Sequence, residues 1–189
     1  VVCRGEPARI VADFAETGDW RARGRLAMLA EMISILRLVG TVNAAVWLGS
    51  AVFLTAAVGP AFFSDEMLGL MPKYHAGKAA QLILARYFTL QLVCGGVALV
   101  HLLAEWFYAG RAPGRWRGGV LAAVLGLSVL GGLWMQPKLQ RLHAVMYAPN
   151  ATETQKAEAK RSFGMWHGVS QSANLLLTLG VLLHFWQVT

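Results

Sequence analysis

Four long apolar runs divide the chain: Ile33 to Val58, Tyr87 to Tyr108, Gly118 to Leu139, and Phe163 to Trp186. Each has the roughly 20 mostly apolar residues that a helix needs to cross the hydrocarbon core of a bilayer. The fold they predict is all-α, an antiparallel bundle of four transmembrane helices. Aromatic residues mark the ends, with Phe62 and Phe63 after the first run, Trp106, Phe107 and Tyr108 closing the second, and Phe185 and Trp186 closing the fourth. Such clusters form the belt at a membrane–water interface.

The segments between the runs carry helix and turn signals. In "SDEMLGLMPKYHAGKAAQLILARYF", Ser64 is a candidate N-cap with acidic residues behind it, and Pro72 precedes a second helical stretch. This predicts a short interfacial helix between spans one and two, with residues 64–86 along the interface. "RAPGRWRGG", with Pro113, Gly114 and three arginines, predicts a tight hairpin between spans two and three. "YAPNATETQKAEAKRSF" offers a turn at Pro149–Asn150 and an N-cap at Thr152, and predicts a loop that leaves the membrane.

Residues 1–27, "VVCRGEPARIVADFAETGDWRARGRLA", have no apolar core of the signal-peptide kind. They read either as an extension upstream of a start at Met28 or Met32, or as an amphipathic segment carrying Ile10, Phe14 and Trp20. The expected organisation is thus an N-terminal extension over 1–27 and a four-span membrane domain over 28–189.

Composition agrees with this class. Hydrophobic residues make up 56% of the chain and charged ones 14%, against about 25% charged in soluble domains. The net charge of +7 comes from Lys and Arg at the ends of the apolar runs, as membrane flanks require, and forms no stripe for nucleic acid. With both termini and the 111–117 turn on one face, a chain counted from Met28 has Arg37, Arg111, Arg115 and Arg117 there. The face of the two long loops has Lys73, Lys78, Arg86, Lys138, Arg141, Lys156, Lys160 and Arg161. The positive-inside rule then places the long loops in the cytosol, and the expected location is the inner membrane of the cell. Cys3 and Cys94 allow no disulfide framework, and Cys94 reads as a small apolar filler.

The fourth run is unusual in what it holds: "FGMWHGVSQSANLLLTLGVLLHFW" places His167, Ser170, Gln171, Ser172 and Asn174 in its first half. His167, Gln171, Asn174 and Thr178 lie on one helical track, while Gly164, Gly168, Ser172 and Gly180 form a small-residue face predicted to pack on a neighbouring helix. Lipid cannot satisfy the polar track, so it is expected to face the bundle interior. Gln91, Gln136 and Lys138 lie at matching depth on spans two and three. With His167, Ser170, Gln171 and Asn174 they make the candidate polar pocket, open toward the loop face. Its polar groups can serve either to fix helix register or to receive an ion, a headgroup or a small solute. Two further pairs follow from depth: Asn43 with Asn174 at mid-membrane, and Arg37 with Glu105 near the terminal face.

His75, His101, His143, His167 and His184 raise the alternative of a haem- or metal-binding membrane protein, but no HxxxH, ExxH or cysteine-rich signature accompanies them. No metal site and no cofactor is assigned. Nor is there a G-x-S-x-G, P-loop or dinucleotide glycine pattern, and no third residue is placed to orient His167 toward Ser170. No catalytic residue is assigned and no enzyme is expected.

Four short motifs carry a family resemblance: "GPAFF" and "ARYF" around the first loop, "WMQPK" ending span three, and "HGVSQSANL" in span four. From about Val46 to Leu176 the chain resembles the transmembrane protein 205-like family, small four-span membrane proteins whose biochemical function is not established. Its characteristic positions fall here on Trp134, Pro137, Lys138, His167, Gly168, Ser170 and Asn174, with Trp166 where a tyrosine is common. The resemblance implies a helical bundle in a membrane; the partners expected for the chain are the lipid bilayer and either further copies in a homo-oligomer or a larger membrane complex. It implies no reaction. The expected role is non-enzymatic: handling a small solute or ion through the loop-face pocket, or serving as a scaffold subunit.

Overall fold

The computed structural model describes residues 20–109 and 114–189. The chain divides into two units, Val1–Val39 and Gly40–Thr189, and the packing below is that of the second. The elements are α1 (Trp20–Phe53), a π-helical turn (Leu54–Val58), α2 (Gly59–Phe62), α3 (Asp65–Leu70), α4 (Lys73–Ala109), α5 (Arg115–Leu130), a second π turn (Gly131–Met135), α6 (Gln136–Met146) and α7 (Glu153–Val188). Residues 20–27 of the expected N-terminal extension are the first turns of α1. Its earlier residues and the Arg111–Pro113 part of the hairpin turn lie outside the described residues.

Four stretches are long and apolar enough to cross a membrane: Ala30–Phe62, Lys73–Tyr108, Arg115–Met146 and Glu153–Val188. The protein is a multi-pass integral membrane protein. Each stretch outruns its sequence-predicted span because the residues beside it continue the same helix. At 1.5 Å per residue, a 36-residue helix is about 54 Å long, well beyond a hydrocarbon core of about 30 Å. The interfacial helix is therefore shorter than expected: only Asp65–Leu70 stands apart, and residues 73–86 are the first turns of α4.

The ends are set by the residues that signalled them. Ser64 Oγ accepts from the Met67 amide at 3.3 Å, and Pro72 separates α3 from α4. Thr152 and Gln155 form a reciprocal capping box, the side chain of each accepting from the other's backbone N–H at 3.2 and 2.9 Å. Both π turns run up to a proline-bearing turn, α2 with Pro60 and α6 with Pro137. Proline lacks an N–H and its ring crowds the carbonyl four residues back, and one wide turn relieves both within a continuing helix.

Pairwise contacts fix the topology. Gly40, Asn43 and Trp47 on α1 meet His101, Cys94 and Gln91 on α4, the numbers rising on one helix as they fall on the other. Gly131 and Gly95 likewise meet Phe88 and Leu125 across spans two and three, Val124 meets Gly180 and Trp134 meets Trp166 across three and four, and Trp47 meets His184 and Thr55 meets Asn174 across four and one. Successive spans are antiparallel.

The apolar core lies toward the terminal face, around Trp47, Cys94, Ala98, Leu102, Leu121, Val124, Leu177 and Val181. Cys94 is a buried free thiol within it, the filler the sequence implied. Outward-facing residues are also apolar: Leu82, Leu133 and Trp186 are 72%, 71% and 82% exposed, as expected when the surrounding solvent is lipid. The expected small-residue contact is only partly present. A Cβ at Gly164 or Gly168 would meet nothing within 4 Å, whereas Gly180 is pressed against Val124. The bundle closes around span four at Gly180 and stays open at Gly164 and Gly168.

Candidate functional site

In the loop-face half the helices border an open-sided cavity of about 510 Å³. Its walls come from the end of span one (Leu54 to Phe63), the first turns of α4 (Lys73 to Phe88), the inner side of span three and α6 (Leu127 to Tyr147), and the first half of span four (Phe163 to Leu177). Both π turns border it, through Leu54, Thr55 and Val58 on one side and Gly131 and Met135 on the other. A π turn inserts one residue and shifts the face that follows by about 100°. Met135 at the end of the turn and Leu139, His143 and Met146 on α6 thereby face the cavity.

The four motifs converge here. "GPAFF" contributes Gly59, Phe62 and Phe63, "ARYF" contributes Tyr87 and Phe88, "WMQPK" contributes Met135, and "HGVSQSANL" contributes His167, Ser170, Gln171, Ala173 and Asn174. Phe88 packs against Gly131, where a Cβ would come within 2.5 Å of its Cε1, so spans two and three approach closely beside the cavity.

Of the seven candidate pocket residues, His167, Ser170, Gln171 and Asn174 line the cavity, and Gln91, Gln136 and Lys138 do not. Asn174 is the junction of three spans. Its Oδ1 accepts from the Tyr87 hydroxyl at 3.0 Å, and its Nδ2 donates to Thr55 Oγ1 at 2.7 Å. The Thr178 hydroxyl donates to the Asn174 carbonyl at 2.8 Å, which ties that part of the polar track to its own helix. Nearer the loop face, Gln171 Nε2 lies 3.2 Å from His167 Nε2. The His167 ring stacks on Phe163 with centroids 5.7 Å apart and planes inclined by 9°.

The three other candidates have separate tasks. Gln91 is one turn deeper than Tyr87, wholly buried, and accepts from the Trp47 indole N–H. Gln136 faces α4 and donates to the Gln81 carbonyl at 3.3 Å. Lys138 lies one turn after Trp134, on the side away from the cavity, with its Nζ 3.6 Å from the Trp166 ring centroid and 5.1 Å from that of Trp134. The two indoles meet edge to face at 5.1 Å. Trp166 is thus one wall of a seat for Lys138.

Other expected partners are exchanged. Asn43 donates to the Cys94 carbonyl at 2.9 Å instead of to Asn174, satisfying its amide on the neighbouring helix. Glu105, the expected partner of Arg37, is engaged by Arg117 at 2.9 Å, with the buried His101 one turn away at 4.0 Å. Among the described residues, no three of His, Cys, Asp and Glu lie close enough together to hold a metal ion.

Sequence reasoning missed Thr55, Tyr87 and His143. Thr55 is the one hydroxyl in "AVFLTAAVGP", and Tyr87 stands inside a motif; both were visible as polar atoms on apolar helices. His143 sits beyond the π turn, so its face could not be read by counting helical turns. It packs among Tyr74, Tyr147 and Phe163, with ring centroids 5.7, 4.9 and 6.1 Å away.

The family described as Domain of unknown function (DUF4149) matches residues 42–148, more than half of the chain. No curated protein matches the chain. No solved structure does either.

Proposed function

The chain belongs to the DUF4149 family, and from that premise we propose that it is a non-enzymatic membrane protein that binds a small molecule in the loop-face cavity. One observation carries this reading: four short motifs, from every span, supply walls to the same space. Helix register alone would be served by a closed polar junction such as Thr55–Asn174–Tyr87 and would need no cavity. A volume of about 510 Å³ falls within the roughly 300–1,000 Å³ of small-molecule sites, and a mostly apolar wall with a few placed polar groups is their usual composition. The non-enzymatic reading rests on the hydrogen bonds there, which close on one another, Gln171 with His167 and Asn174 with Tyr87 and Thr55.

The family matched has no established role, so the solute-handling task is our inference from the cavity. We also read the chain as transmembrane protein 205-like. "GPAFF", "ARYF" and "WMQPK" fall inside the matched 42–148, and "HGVSQSANL", outside it, closes the same cavity. The long loops face the cytosol in this reading, by the excess of Lys and Arg they carry, and the membrane is the inner membrane of the cell.

Filling the cavity tests the proposal. Ala80→Trp and Ala173→Trp each place an indole in its wall. Both should fold and insert yet lose the small molecule that copurifies with the unaltered protein, as read by mass spectrometry of extracts. Unchanged extracts, with a membrane partner still retained, would instead favour the scaffold role.

A further inference from the structure

We propose that the cavity receives a single-chain anionic amphiphile, an apolar tail ending in a carboxylate or phosphate, with its head at Lys73 and its tail toward Leu127 and Leu177. This rests on the reading of the cavity as a ligand site and adds the class of ligand.

Size and wall chemistry exclude the smallest solutes. About 510 Å³ is on the order of seventeen times the roughly 30 Å³ that one water occupies in the liquid, far more than a single ion needs. An ion with its hydration shell would require polar walls throughout, and the deeper wall is Leu54, Val58, Leu84, Phe88, Leu127 and Leu177. Thr55 and Tyr87 are already paired with Asn174 and ask nothing of a ligand. A hydrocarbon chain meets those conditions.

The mouth differs. Among the described residues that line the cavity there is a lysine, Lys73, and no aspartate or glutamate. Lys73 opens α4 at the loop face, where a charged head can keep contact with water while the tail is buried. His143, also lining, is 4% exposed, and its Nδ1 has no hydrogen-bond partner. That nitrogen is itself closed off from the cavity, so the charge available to a ligand at the mouth is that of Lys73. A cationic head would meet Lys73 with no carboxylate to offset the repulsion, and a neutral head would leave the lysine unused. Charge complementarity selects the anion.

The test is equilibrium binding of radiolabelled palmitate, hexadecyl phosphate, hexadecanol and hexadecyltrimethylammonium to the full chain in nanodiscs, with empty nanodiscs subtracted. The proposal expects saturable binding of about one anion per chain. Hexadecanol should bind at least 10-fold more weakly and the ammonium show no saturable binding; whichever of palmitate and hexadecyl phosphate binds more tightly identifies the head. Lys73→Gln should weaken anion binding about 10-fold without changing hexadecanol, Lys73→Arg should restore it, and circular dichroism should show both variants folded. Ala173→Trp should abolish binding of every probe. If hexadecanol binds as tightly as the anions and Ala173→Trp still blocks it, the cavity stands as a ligand site and the anionic assignment falls. If no probe binds saturably, or binding survives Ala173→Trp, both readings fall.

Discussion

The Tyr87 hydroxyl donates to Asn174 Oδ1 across 3.0 Å, joining span two to span four at the cavity wall. Asn174 passes the link to span one through Thr55 at 2.7 Å, so one amide holds three helices. Hydrogen bonds between transmembrane helices are worth roughly 0.6–2 kcal/mol each, because the unfolded chain in the bilayer also finds partners. Asn174→Ala should therefore cost about 1–3 kcal/mol and Tyr87→Phe about 1 kcal/mol, read as resistance to denaturation in mixed micelles. In a double-mutant cycle the pair should be non-additive by about 0.5–1.5 kcal/mol. Additive losses would mean that the two side chains do not bond.

Glycines at two close approaches should respond differently to the same change. A Cβ at Gly95 would clash with Leu125 and reach within 3.3 Å of Trp47, inside the packed core, so Gly95→Ala should cost about 1–3 kcal/mol. At Gly131 the obstacle is the Phe88 ring, which borders open space and can swing into it. Gly131→Ala should cost less than Gly95→Ala and should reduce binding of any cavity ligand. The comparison is made by thermal denaturation and ligand binding on the two variants; the opposite order would place the freedom to repack in the core instead of at the cavity.

Much of the fold was legible in the sequence, because span length, interfacial aromatics and the caps at Ser64 and Thr152 are local signals. Which faces meet was less so. Asn43 and Asn174 share a depth, but depth does not fix rotation about the helix axis, and each amide took a nearer partner. Gly164, Gly168 and Ser172 have the spacing of a packing face, yet spacing names no neighbour. Gln136 and Lys138 were assigned to the pocket by depth, which does not fix the face, and beyond the π turn at Gly131–Met135 it is Met135 and Leu139 that reach the cavity instead. His167, Ser170, Gln171 and Asn174 lie on a regular stretch of α7 and line the cavity.

Lys138 gives a third prediction. Seated over Trp166 and Trp134, it should contribute about 0.5–2 kcal/mol through its attraction to the two rings. Lys138→Met should lose this, and Lys138→Arg should keep it, since a guanidinium also stacks on indole. Neither should alter ligand binding, because Lys138 lies outside the cavity wall. A binding defect in Lys138→Met at unchanged stability would return this residue to the site.

The most direct measurement is an experimental density map of the full chain purified from its membrane into nanodiscs. The account predicts continuous non-protein density in the loop-face cavity, running from Lys73 toward Leu127 and Leu177, and its loss in Ala173→Trp. A map in which span four closes against the end of span one, leaving no space between Tyr87 and His143, would contradict it.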